Sequence, residues 1–76
     1  HERRCAMIHI TKLVWSAARA EIALLAVQPG DVSVDDMERM RDLICASIDQ
    51  LAEVVGIQCA VYMVQRERQR IIVSRN

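Results

Sequence analysis

Residues 32–56, VSVDDMERMRDLICASIDQLAEVVG, carry a start signal, an apolar stripe and a stop signal for one long helix. Any fold open to this chain has to be built around that helix. Ser33 is placed as an N-cap, its hydroxyl accepting from the backbone N–H three residues on, and Asp36 stands where a capping box is closed. Val32 and Met37 flank the cap at the spacing of a hydrophobic staple. Asp35, Asp36 and Glu38 bring negative charge to the positive end of the helix dipole. Met37, Met40, Ile44, Ile48, Leu51 and Val55 then recur at steps of three and four, which keeps them on one face. Gly56 ends the helix, because glycine enters the left-handed conformation without a steric cost.

Before this helix, residues 3–28 read as another. His9, Lys12, Ser16 and Arg19 form one narrow polar stripe. Nearly everything else from Met7 to Val27 is apolar. A strand starting over residues 7–15 is the alternative, but residues 17–26 favour helix strongly enough to prefer continuity. A helix apolar over most of its girth is buried on more than one side, so a single partner helix does not cover it. Ile8, Trp15, Ile22 and Leu25 are therefore expected at a dimer interface. Gln28-Pro29-Gly30-Asp31 breaks the chain, and residues 29–33 form a linker. So short a linker makes the two helices antiparallel neighbours, each on the order of 30–40 Å long.

The third segment, residues 57–73, reads two ways. Val61, Tyr62, Val64, Ile71, Ile72 and Val73 suit a strand pair. Gln65 to Arg70 are helix formers and offer no hairpin turn. Ile57, Val61, Val64, Arg68 and Ile71 also share one helical face, and helix is the favoured reading. The fold class expected is mostly α: a long helical hairpin plus a third C-terminal segment, assembling as a helical-bundle dimer. An α+β fold with a C-terminal β-hairpin is the alternative.

Composition supports association. A chain of 76 residues is one domain, and 53% of it is hydrophobic with two Gly and one Pro. A domain this small buries only about 60% of its unfolded surface, so a second copy is the simplest cover for the remainder. Net charge is zero but segregated. Four basic residues oppose Glu2 in residues 1–19, a net +3; eight acids oppose Arg39 and Arg41 in residues 20–56, a net −6; four arginines oppose Glu67 thereafter, a net +3. A basic–acidic–basic chain is suited to folding on itself or on its copy, and the absence of basic excess does not favour nucleic acid.

Chemistry is harder to find. No Ser–His–acid or Cys–His set, Gly-rich phosphate loop or HExxH motif is present. An enzyme is not expected, nor a cofactor. Cys5 and His9, four apart on one helical face with His1 a turn before, are weak metal-ligand candidates that a symmetric dimer would have to complete. The three cysteines, Cys5, Cys45 and Cys59, lie among apolar residues. An odd number points to buried thiols in a reducing, cytoplasmic compartment. No run is long enough to span a membrane. Arg3 and Arg4 precede an apolar stretch as in a secretory signal, but His9 and Lys12 interrupt it. The first residue is His1, which reads as a fragment, a processed product or an added leader, with Met7 as an alternative start.

Residues 51–57, LAEVVGI, resemble the first helix and turn of a helix-turn-helix, over about a quarter of the chain. The apolar anchors that would follow at Tyr62 and Gln65 stand one residue early, at Val61 and Val64. The resemblance implies a second helix that reads DNA through Gln58, Gln65, Arg66 and Arg68. Helix, Gly and two β-rich runs also resemble the opening of a GAF-type sensor domain, which is about twice as long and would make this chain a fragment. The residues themselves favour a small intracellular interaction or oligomerisation module, an adaptor or regulator whose partner is a second copy or another protein. A DNA-binding regulator is the alternative.

Overall fold

The computed structural model describes the backbone of residues 2–28 and 30–75, and the side chains of residues 9–75 with Pro29 excepted. It consists of three helices: α1 (Glu2–Leu25), α2 (Val34–Val55) and α3 (Ile57–Arg75). Each packs against both of the others. The described residues contain no strand.

Helix α2 begins as its sequence dictates. Ser33 is extended, and its hydroxyl accepts from the Asp36 N–H at 3.2 Å. Asp36 turns its carboxylate to Arg39, 3.8 Å away and exposed. At the other end the Gly56 N–H donates to the Ala52 carbonyl at 2.8 Å. Gly56 has φ 87° as expected, but its ψ of 153° is extended and not left-handed helical. The chain leaves straight into α3, whose Ala60 N–H already donates back to the Gly56 carbonyl at 2.9 Å.

Helix α1 ends at Leu25, three residues before the expected position. The Val27 N–H reaches only to the Leu24 carbonyl, so the last turn tightens ahead of the breaker. Gly30, with φ 92°, carries the linker round; Pro29 lies outside the described residues.

The C-terminal segment is one helix, which corrects the β-hairpin alternative. Glu67 and Arg70 explain part of this: two hydrogen bonds of 2.8 and 2.7 Å join them one turn apart, across the stretch where a hairpin would have had to turn.

The core is aliphatic and small. Val14, Ala17 and Ala18 of α1, Leu51 of α2, and Ala60, Val64 and Ile71 of α3 form one buried cluster. Ile10, Leu13, Ile22, Ile48, Ala52, Val55 and Met63 close around it. Ala17, Ala18 and Ala60 are wholly buried, so the helices meet there at short range without large side chains between them. One ion pair ties α1 to α3: Arg68 Nη1 donates to Glu21 Oε2 at 2.5 Å, both side chains being mostly covered.

The molecule is more open than its mass requires. It measures 45 × 30 × 22 Å with a radius of gyration of 13.4 Å, whereas a compact domain of this length has about 11 Å. Its accessible surface is 5976 Å². A compact monomer of 8.6 kDa exposes roughly 4,700 Å².

Candidate interaction surface

The excess surface is apolar at several places. On α2, Leu43 and Val54 are 54% and 59% exposed. They are eleven residues apart, about three turns, and so fall within about 20° of one another around the helix. Ala46 and Gln50 fill the steps between them, both exposed. The buried residues Ile44, Ser47 and Leu51 sit to one side of this ridge. Asp42, Asp49 and Glu53, at steps of seven and four, line its other side and are all exposed.

Helix α3 continues the pattern. Ile57, Val61, Tyr62, Ile72 and Val73 are all exposed. Arg66 lies over the Tyr62 ring, 5.8 Å from its centroid, and its Nη1 reaches the Tyr62 hydroxyl at 3.4 Å. That contact fixes a cation beside the apolar face at little energetic gain in water. With Met63, Glu67 and Arg70 they border a hollow of about 390 Å³. This hollow runs along one helix and opens to solvent, so it cannot exclude water from a small ligand.

A second groove, of about 150 Å³, lies between Arg19, Ile22 and Ala23 of α1, Ala26 just past its end, and Arg75 of α3. Arg19 is also stacked on Trp15, 4.9 Å from the ring centroid. Among the described residues no group of three or more His, Cys, Asp or Glu is placed to hold a metal ion. Nor, among the described residues, is any helix long and apolar enough to cross a membrane.

The residues expected at a dimer interface are divided by the structure. Ile22 packs against the core cluster. Trp15 and Leu25 are 48% and 73% exposed. Ten residues separate them, which places them about 80° apart around α1 and off any common stripe. The side chain of Ile8 lies outside the described residues, as does that of the metal candidate Cys5; His9 is exposed.

The expected DNA contacts are similarly divided. Gln58, Gln65 and Arg66 are exposed. Arg68 is half-buried and engaged by Glu21. The break between α2 and α3 is the single residue Gly56, whereas a helix-turn-helix uses a turn of three or four residues. Likewise, the two C-terminal strands that a GAF-like fragment calls for are replaced by α3. Cys45 and Cys59 are exposed free thiols, which corrects the expectation of buried ones. Each stands one position from a buried residue, Ile44 or Ala60, and 100° of helical rotation turns it outward.

Fold and surface together define a three-helix bundle with large apolar side chains left uncovered on each of its helices. Compared with protein-family models, with curated proteins and with solved structures, the chain matches none.

Proposed function

We propose that this chain is an association module, a small helical adaptor or regulator whose activity is the assembly it forms. In this reading α1 and α2 pair as an antiparallel hairpin, α3 packs on it, and the bundle completes its burial against a second copy. The observation that carries the reading is the surface excess of roughly 1,300 Å² over a compact monomer of this mass. A standard protein interface takes about 800 Å² from each partner, so one interface would remove roughly three-fifths of this excess.

The charge pattern agrees. Arg66 is held by Tyr62, Arg68 by Glu21 and Arg70 by Glu67. Arg68 and Arg70 already have carboxylate partners within the chain, which leaves Arg66 as the one expected DNA contact whose charge is free for a phosphate backbone.

Solution molar mass by light scattering tests the proposal. Twice the chain mass of 8.6 kDa, or a higher multiple, is expected at micromolar concentration. The mass should not change when a chelator is added; a fall would bring Cys5 and His9 back as ligands. The same sample should leave a labelled DNA duplex unshifted at low salt. A monomer that retards DNA, and loses that property on Arg66→Ala, would replace this reading with the DNA-binding one.

A further inference from the structure

The association reading leaves open which surface is used, and the charges decide it. Helix α2 carries six acids against Arg39 and Arg41, a net −4; on α3, Arg68 is answered by Glu21 and Arg70 by Glu67, which leaves the positive charge of Arg66 and Arg75. The acids Asp42, Asp49 and Glu53 run beside the exposed Leu43 and Val54. On α3, Arg66 stands over the exposed Tyr62, which follows the exposed Val61 in the chain. Each helix thus offers an apolar strip with charge along its edge, and the two charges are opposite.

We infer that the second copy docks with α2 of each chain lying along α3 of the other, in a two-fold arrangement that makes this contact twice. A two-fold interface requires that one chain carry both halves of every contact. This chain does: an acidic apolar strip and a basic apolar strip on adjoining helices. A foreign partner would have to answer both signs at once, whereas a copy answers both by symmetry. Docking α1 to α1 instead would bring together Trp15 and Leu25, which share no strip. The α2–α3 arrangement rests on the association reading and narrows it to one surface.

The test uses the full chain and its dissociation constant from sedimentation or light scattering, with far-UV circular dichroism to verify helix content. Leu43→Glu with Val54→Glu should raise the dissociation constant at least about thirtyfold, the size expected for residues central to an interface. Two charge variants then test the pairing. Asp49→Arg/Glu53→Arg sets basic strip against basic strip; Arg66→Glu/Gln69→Glu sets acidic against acidic. Each alone should be mainly monomeric. Mixed, they should form a heterodimer about as tight as the original homodimer, because both contacts again join opposite charges. All these positions are exposed, so the variants should keep their helices. If the charge variants and the Leu43/Val54 variant dimerise like the original, the surface is wrong while association stands. If each charge variant is weakened and mixing fails to restore binding, the reciprocal arrangement is wrong. An original chain that is monomeric overturns the association reading itself.

Discussion

Gly56 is the position where one residue decides most. Its φ of 87° and ψ of 153° lie in a region essentially reserved for glycine. A Cβ there would meet nothing within 4 Å, so any cost of adding one is backbone strain alone. Gly56→Ala is expected to destabilise the fold by about 1–3 kcal/mol, read from urea unfolding at neutral pH. Glu67 makes a smaller and pH-dependent contribution. Its hydrogen bond to Arg70 holds its carboxyl below the ordinary value, against the opposing effect of burial. The unfolded chain therefore binds this proton more readily than the folded one. The stabilisation is complete above the ordinary carboxylate range and disappears as pH falls through the lowered value. Glu67→Gln should lower stability at neutral pH by about 0.5 kcal/mol, as exposed pairs do, and leave it unchanged in strong acid. Thermal unfolding at the two pH values checks both halves of that statement.

At the scale of elements, the legibility of each helix followed the strength of its end signals. Helix α2 has a capping serine and a terminal glycine, and its bounds of Val34–Val55 are those its sequence implies. Helix α3 was ambiguous because β-branched residues suit a strand as well as a helix, and because its buried face includes Ala60. Alanine adds little to an apolar pattern, yet it is wholly buried here and lets the helices approach. The pattern through Ile57, Val61, Val64, Arg68 and Ile71 is therefore only half right. Val64 and Ile71 face inward, and Ile57 and Val61 face out. The candidate surface was hidden for the same reason, since a small rotation of a helix exchanges core for surface. Arg68 was legible as a charge but not as a tether, because its partner Glu21 is 47 residues away. Glu21→Gln would leave a half-buried guanidinium without its counter-charge, and about 1 kcal/mol of stability should be lost. A double-mutant cycle with Arg68→Met would separate the pair from the packing of its two stems.

At the scale of the molecule, stability and association are linked. If the uncovered strips are buried against a copy, mass action makes the folded state more stable as concentration rises. The unfolding temperature should climb with each tenfold increase in concentration, and calorimetry over a hundredfold range would show it; the Leu43→Glu/Val54→Glu variant should show no such climb. The one-residue corner at Gly56 has a further consequence, in time rather than in energy. Two rotatable backbone angles are the whole of the slack between α2 and α3. The Gly56 N–H is held by α2, and the Gly56 carbonyl holds the first turn of α3. An opening that swings α3 away must turn at those two angles, and it leaves both of these bonds inside their own helices. Amide hydrogen exchange should therefore find the Gly56 and Ala60 N–H groups still protected when α3 swings out, exchanging only as the helix that holds each one frays. Lengthening the corner by a few Gly and Ser residues should free the swing itself, giving the chain slack that one residue does not supply.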